Sequence, residues 1–258
     1  MKIITVWNRK GGVGKTTISF NLASALATEH QKRVLVLDLD EQMNLSLMIE
    51  RTSKRSHKNI AELAECNFRD MKKAVYRGRY VDYIQGSHKE ANVIAINGLY
   101  EGLRNLEDVY DYVIIDCPPS FSHVVQSAIY TADLVLVPIG LDVFSKDNLN
   151  LVADSIETIR QMKELNELDV DESYDQVDIP WSIIVNRVAN RKIQRETFED
   201  LVQKHDYPML EICISEATAV ATANAMKKPI YLHRRSSLVA QDIRDMVSLI
   251  REEVEEDA

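Results

Sequence analysis

The sequence predicts an α/β domain with a twisted, mainly parallel sheet flanked by helices on both faces. Short apolar runs rich in β-branched residues recur along the 258 residues, and segments with helical spacing separate them. Strands that alternate with helices form right-handed βαβ crossovers, which produce parallel sheets covered by helices. The chain is long enough to bury most of its apolar surface, so we expect residues 1–258 to form one domain.

Five apolar runs are candidate strands, and their continuous apolar character is typical of strands buried on both faces. They are residues 2–7, 33–40, 112–117, 133–139 and 181–186. The candidate helices are residues 16–30, 122–132, 145–165 and an amphipathic C-terminal segment, 237–258. The charged segments 51–58 and 166–179 are expected to be surface loops.

Composition argues against several classes of protein. The cysteines Cys66, Cys117 and Cys213 have neither CxxC spacing nor a nearby histidine pair, so no disulfide framework, zinc site or iron–sulfur site is expected. No apolar run reaches the roughly 18 residues of a membrane span. We therefore expect a cytoplasmic protein.

The net charge of −9, from 31 Lys and Arg against 40 Asp and Glu, argues against a protein that coats nucleic acid. The charge is unevenly distributed, however. Basic residues cluster at 51–58, 69–79, 187–195 and 227–235, so local basic surfaces are compatible with the composition.

Residues 8–17, NRKGGVGKTT, follow a predicted strand and precede a predicted helix, which is the context of a phosphate-binding loop. Its glycines allow successive backbone N–H groups to point at phosphate oxygens. We expect Lys15 to contact the β- and γ-phosphates and the Thr16 hydroxyl to bind Mg²⁺. The expected nucleotide-binding residues of the loop are Gly11, Gly12, Val13, Gly14, Lys15, Thr16 and Thr17. Arg9 replaces the first glycine of the generic motif, and Lys10 is a second lysine that this motif does not require.

Acidic side chains follow two of the predicted strands. Asp116 ends the run YVIID, at the sheet edge where α/β proteins bind ligands, and is expected to act through a metal-bound water or else to cap the next helix. Asp38 and Asp40 are two residues apart, so both carboxylates are expected on one side of the strand. This pair would either organise the waters of Mg²⁺ or neutralise Lys10 and Lys15.

In combination, these motifs resemble the ParA/MinD family of deviant-Walker ATPases, nearest its ParA branch, the plasmid and chromosome partition ATPases. The resemblance is carried by KGGVGKTT (10–17), DLDEQMN (38–44) and IIDCPPS (114–120), with weaker matches at 132–145, 185–187 and 214–230. It implies the SIMIBI-like P-loop NTPase fold, with ATP and Mg²⁺ as cofactors.

The resemblance also implies a mechanism in which ATP lies between two protomers and Lys10 reaches the partner's nucleotide, so that hydrolysis depends on dimerisation. The implied catalytic residues are Lys10, Lys15 and Asp40, the implied Mg²⁺ residues are Thr16, Asp38 and Asp116, and Asn186 would hydrogen-bond adenine. The family's DxDPQGN motif here contains Glu41 and Met43, a change expected to alter the loop path and slow turnover. Ser215 stands where the family often has a proline against the base.

Partition ATPases of this family bind DNA non-specifically as ATP dimers, and a ParB-like or other cargo adaptor stimulates hydrolysis and releases them. Such binding requires clustered cations even on an acidic protein. The family places them late in the chain, where the candidates are Arg187, Arg191, Lys192, Arg195, Lys227, Lys228, Arg234 and Arg235. The resemblance therefore implies a nucleoid-associated ATPase that positions DNA or another large cargo.

Three alternatives remain open. A MinD-like protein would bind membranes through a basic C-terminal helix, but the tail REEVEEDA would be repelled by anionic lipid, so no membrane partner is expected. A small-molecule ligase shares the phosphate loop, although Lys10 and the paired acids disfavour it. A nucleotide-gated binding protein that barely hydrolyses ATP is compatible with Glu41.

Overall fold

The computed structural model describes residues 1–52, 57–141, 146–169, 178–189, 196 and 207–255. Within these residues, eight strands form one sheet. The strands are β1 (Lys2–Val6), β2 (Val34–Asp38), β3 (Tyr76–Arg77), β4 (Asp82–Ile84), β5 (Tyr112–Asp116), β6 (Leu134–Gly140), β7 (Trp181–Val188) and β8 (Met209–Ser215).

The strand order across the sheet is β3-β4-β2-β5-β1-β6-β7-β8. All neighbours are parallel except β3 and β4, which are antiparallel. From the central strand β1 the chain passes first to β2 on one side and later to β6 on the other. This reversal of direction opens a crevice at the carboxyl ends of the strands, where such sheets bind ligands.

Helices cover both faces of the sheet. Their bounds are α1 (Lys15–Thr28), α2 (Asn44–Met48), α3 (Ile60–Ala64), α4 (Met71–Ala74), α5 (Gly98–Arg104), α6 (His123–Thr131), α7 (Lys146–Asp169), α8 (Thr218–Ala225), α9 (Ile230–His233) and α10 (Leu238–Glu255). Among the described residues, no helix combines the length and the apolar character needed to cross a membrane.

Two apolar clusters lie on opposite faces of the sheet. In β1, Ile3 belongs to the cluster that packs against α5, α6 and α7, whereas the adjacent Ile4 belongs to the cluster beneath α1 and α10. Successive side chains of a strand point to opposite faces, so each central strand contributes to both clusters. The predicted mainly parallel sheet with helices on both faces is confirmed.

The elements differ from the sequence prediction in several places. The short strands β3 and β4, and the half-buried β8, lack a long apolar run and were not predicted. β2 ends at Asp38 instead of residue 40. The predicted loop 166–179 begins inside α7, which continues to Asp169; residues 170–177 lie outside the described part of the chain. That residues 1–258 form a single domain stays a prediction.

Candidate functional site

The loop between β1 and α1 has a backbone that only glycine adopts easily. Gly12 has a φ of +76° and Gly14 a φ of +96°, both in the left-handed region. Gly14 is the N-cap of α1, and no side chain caps the first turn of this helix. The N–H groups at the start of α1 are therefore available to an anion.

A buried asparagine holds the start of this loop. The Asn8 side-chain nitrogen donates to the carbonyl oxygen of Pro138 at 2.8 Å. Its side-chain oxygen accepts from the backbone nitrogen of Lys10 at 2.9 Å and from the Asn148 amide at 3.1 Å. Asn8 thus ties the loop to β6 and α7, and these contacts fix the position of the Lys10 backbone.

Arg9 points away from the centre of the loop. Its Nε donates to the Ser155 hydroxyl on α7 at 3.1 Å, and its guanidinium carbon lies 4.9 Å from the centre of the Phe121 ring. An arginine is therefore compatible with the position at which the generic motif has glycine.

Lys15 is buried, with 6% of its surface exposed. Its Nζ donates to the carbonyl oxygens of Asn8 at 3.3 Å and of Lys10 at 3.0 Å. Burial lowers the pKa of the ammonium, while nearby Asp116 acts in the opposite direction. The loop backbone therefore holds the Lys15 cation in place before any ligand binds.

Asp116, the last residue of β5, is completely buried beneath the loop. Its Oδ1 accepts from the Ser19 hydroxyl at 2.9 Å, and the Thr16 hydroxyl also donates to this carboxyl group. Its Oδ2 has no hydrogen-bond partner among the described residues. Burial, together with the neighbouring Asp38 carboxylate, raises the pKa of Asp116 to about 8.

The alternative that Asp116 caps the next helix is wrong, because the N-cap of α6 is Ser122. Mg²⁺ keeps several of its water ligands when it binds one or two protein oxygens together with phosphates. A buried carboxylate oxygen without a hydrogen-bond partner is suited to such a hydrated cation. Thr16 and Asp116 therefore form a donor set that fits Mg²⁺.

The two acids of the DLD motif differ in burial and in their hydrogen bonds. Asp38 is 1% exposed, and its Oδ2 accepts from the backbone nitrogen and the hydroxyl of Ser46 at 2.8 and 2.7 Å. Asp40 is half-buried, and its Oδ1 accepts from the backbone nitrogen of Gln42 at 2.9 Å. β2 ends at Asp38, so strand alternation does not extend to Asp40, and the expectation that both carboxylates lie on one side stays a prediction.

Asp38 stabilises the loop that carries Asp40. Its Oδ1 accepts from the backbone nitrogen of Asp40 at 3.2 Å, and burial raises the pKa of Asp38 to about 6. Met43 has a φ of +54° in this loop, at the position where the related motif has glycine. A left-handed conformation costs a non-glycine residue about 1 kcal/mol, so the loop retains a glycine-type turn at some energetic cost.

Two adjoining cavities lie at the carboxyl ends of the strands. The first has a volume of about 510 Å³, and its lining includes Gly11, Gly12, Lys15, Thr16, Asp40, Glu41 and Pro118. The second has a volume of about 220 Å³, and its lining includes Asn186, Ile214, Ser215, Glu216, Thr218 and Asn224. Gly14, Thr17 and Arg187 line both cavities, so the two form one cleft. We refer to them as the phosphate cavity and the base cavity.

Asn186 joins the base cavity to the loop. It is 6% exposed, and its Nδ2 donates to the carbonyl oxygen of Val13 at 2.8 Å. A Cβ atom built on Gly14 would lie 2.1 Å from this Nδ2, so the two residues are in direct contact. In this conformation the Asn186 nitrogen binds the loop, and the predicted contact with adenine stays a prediction.

Helix α1 also contacts the base side. The Asn224 side chain on α8 donates to the Thr17 hydroxyl at 3.2 Å. Asn21 accepts from the backbone nitrogen of Ile230 at 2.8 Å and donates to the carbonyl oxygen of Thr17 at 2.8 Å. The sequence analysis missed Asn21, Asn224 and Asn8, since isolated asparagines carry no spacing signal.

The predicted DNA-binding cations do not all lie together. Lys227 and Lys228 follow α8, and Arg234 and Arg235 follow α9, where both arginines are exposed. Arg187 instead lies in the nucleotide cleft. The remaining candidates, Arg191, Lys192 and Arg195, lie outside the described residues.

Several known proteins are similar to this chain in sequence and in fold. The family model AAA_31 (AAA domain) matches residues 1–170. The chromosome partitioning protein ParA of Myxococcus xanthus is 32% identical over 170 residues, which cover 62% of this chain and only 59% of that protein. The virulence plasmid ParA family protein pGP5-D of Chlamydia muridarum is 31% identical over 206 residues, covering 72% of this chain and 76% of the relative.

The fold likeness extends over almost the whole chain. Cobyrinic acid a,c-diamide synthase of Mycobacterium smegmatis, with bound ADP and magnesium, superimposes with a TM-score of 0.77 at 21% identity and covers 97% of this chain and 94% of the synthase. The septum site-determining protein MinD of Pyrococcus horikoshii, complexed with Mg-ADP, gives a TM-score of 0.70 at 20% identity and covers 100% and 98% of the two chains. From the matched family model and the Chlamydia relative, we conclude that this chain is a member of the AAA_31 family and of its ParA proteins.

Proposed function

We propose that this chain is an ATPase that binds ATP with Mg²⁺ in the cleft and hydrolyses it. The observation that carries this proposal is the buried Asp116 oxygen without a partner beneath the loop that holds the Lys15 cation. Thr16 and Asp116 would hold Mg²⁺, which neutralises phosphate charge when it is bound. The Mg-ADP bound to MinD and to the diamide synthase, which have the same fold, supports this choice of ligand.

We further propose that ATP brings two copies of the chain together, with Lys10 contacting the partner's nucleotide. Lys10 is suited to this role because Asn8 fixes its backbone nitrogen while Lys15 uses its carbonyl oxygen. A cation supplied by the partner would stabilise charge on the transferring phosphoryl group. Asp40, which lines the phosphate cavity, would position the attacking water. Asp38 would act indirectly, through its hydrogen bond to the Asp40 backbone.

The task that best fits this cycle is the positioning of DNA or of a cargo carried on DNA. The ATP-bound dimer would bind DNA non-specifically and associate with the nucleoid in the cytoplasm, until a ParB-like or other adaptor stimulates hydrolysis. The proposed DNA contacts are Arg191, Lys192, Arg195, Lys227, Lys228, Arg234 and Arg235. Such contacts release counterions from DNA, which makes binding sensitive to salt.

A DNA titration with ATP, ADP or no nucleotide, at two salt concentrations, tests this proposal. We expect the protein to bind DNA tightly only when ATP is present, and we expect added salt to weaken this binding. The charge reversal Arg234→Glu with Arg235→Glu should weaken binding and leave ADP affinity unchanged. Lys72→Glu with Lys73→Glu is the matched control, because these exposed lysines lie on α4. DNA binding that ignores the nucleotide would refute the partition role, and ATP turnover that requires an added small carboxylate would favour a ligase.

A further inference from the structure

Arg187 has an unusual backbone for its residue type. It lies near the end of β7, where the pairing with β8 shifts register between Asn186 and Val188. Its φ is +58°, in the left-handed region that costs a non-glycine residue about 1 kcal/mol. Strand irregularities of this kind change the direction of a side chain and are frequent beside active sites. Backbone conformations of this kind cluster at active sites and ligand-binding positions.

The position of Arg187 in the cleft indicates that role. It lines both the phosphate cavity and the base cavity, a property it shares only with Gly14 and Thr17 among the residues that line the two. A nucleotide bound with its phosphates on the loop and its base in the smaller cavity would lie next to these three residues. Arg187 therefore lies beside the path that joins phosphate to base.

The charge of Arg187 is not compensated within the described structure. Arg33 and Arg244 each bind a carboxylate, at 2.7 Å from Asp111 and 3.1 Å from Glu29 respectively. The Arg187 side chain has no hydrogen bond or ion pair to any described residue. An exposed guanidinium without a partner beside a phosphate cavity is suited to bind phosphate oxygens, since its planar fork matches their geometry.

We propose that Arg187 contacts the phosphate chain of the nucleotide bound by its own protomer and is not part of the DNA-binding surface. This inference rests on the proposed nucleotide site. It adds a third cation to Lys15 and to the partner's Lys10, and it places this cation on the base side of the loop. Arg187 thereby links the bound nucleotide to the junction of β7 and β8.

Calorimetric titration with ADP and with ATPγS, in the absence of DNA, tests this inference. Arg187→Ala should weaken both affinities at least about tenfold, because hydrogen bonds to charged groups contribute roughly 1.5–3 kcal/mol. Arg187→Lys should recover part of the loss, since it restores the charge without the fork. Arg187→Gly should lose as much affinity as Arg187→Ala, although glycine adopts this backbone freely, which separates the side chain's role from backbone strain.

Arg234→Ala serves as the matched control and should keep the wild-type ADP affinity. DNA binding at saturating ATPγS supplies the second readout. At that nucleotide concentration, Arg187→Ala should bind DNA as the wild type does, while the DNA affinity of Arg234→Ala should remain reduced. Wild-type ADP affinity in Arg187→Ala, together with a DNA defect that saturating ATPγS does not correct, would overturn the inference. A different result would refute the proposed nucleotide site itself: ADP binding by Lys15→Ala that is as tight as that of the wild type.

Discussion

The phosphate side and the base side of the cleft are built in different ways. The phosphate side is built mainly on a continuous stretch, residues 8–17, between the central strand β1 and helix α1, to which Asp40, Glu41 and Pro118 add from two other loops. The base side combines the ends of β7 and β8 with α8, three separate elements that lie far along the chain from the loop. Left-handed residues occur on both sides, but glycines supply them in the loop, whereas Arg187 and Lys227 supply them on the base side.

This difference shows which side is preorganised. The Lys15 ammonium binds two carbonyl oxygens of its own loop, and Asn8 ties that loop to β6. The base side contacts the loop mainly through the single side chain of Asn186 and through Asn224 on α8. We expect changes in the loop to remove nucleotide binding and changes on the base side to reduce it.

The largest effect is expected for Lys15→Ala. This variant loses the buried cation that faces the phosphates, so nucleotide binding and ATP-dependent dimerisation should both disappear. The fold should persist, because burial disfavours the charged ammonium and the hydrogen bonds that are lost are those to two loop carbonyl oxygens. Calorimetry with ADP and a thermal melt without nucleotide measure the two outcomes. A variant that still dimerises with ATP would contradict the assignment of the phosphate loop.

Gly14→Ala tests the contact between the two sides. Its Cβ would lie 2.1 Å from the Asn186 Nδ2, and its φ of +96° is unfavourable for alanine. We expect a large loss of nucleotide affinity and a lower melting temperature without nucleotide. Adding Asn186→Ala should recover part of the stability by removing the clash, although the backbone strain remains.

Gly11→Ala is the matched control for the melting experiment, because a Cβ atom there has no neighbour within 4 Å. Its melting temperature without nucleotide should equal that of the wild type. If Gly14→Ala melts at the same temperature as Gly11→Ala, the proposed contact between loop and base side is wrong.

A smaller effect of opposite sign is expected for Asp116→Asn. Above about pH 8 the Asp116 carboxyl group is ionised although it is fully buried, and one of its oxygens has no partner in the described structure, which destabilises the protein when no ligand is present. In that pH range the neutral amide should therefore raise the melting temperature by a few degrees, at about 2–4 °C per kcal/mol for a domain of this size. The Mg²⁺-dependent part of ADP affinity should fall. A lower melting temperature would show that the buried charge stabilises the fold.

The same comparison explains how far the sequence could predict the site. The loop was predictable because Lys15, Thr16 and the glycines are consecutive, so their spacing specifies both conformation and chemistry. The different surroundings of Asp38 and Asp40 were not predictable, because the end of β2 depends on pairing with β5 and on the Ser46 contacts.

Arg187 shows the same limit on the base side. Arg191, Lys192 and Arg195 follow it closely in the sequence, so charge clustering grouped it with DNA contacts. Its position in the cleft depends on the left-handed backbone and the register shift beside β8, which no sequence pattern reveals. The overall fold was predictable because the central strands are long and apolar, whereas β3 and β4 contain too few residues to give a pattern.

The central claim is that Lys10 acts on the nucleotide of the partner protomer. ATP hydrolysis by a mixture of Lys10→Ala and Asp40→Ala proteins tests it most directly, with DNA present. If Lys10 acts across the dimer, a mixed dimer has one complete site, with Asp40 from the first protein and Lys10 from the second. The mixture should then hydrolyse ATP well above either variant alone. Activity no higher than the sum of the two separate variants would contradict the account.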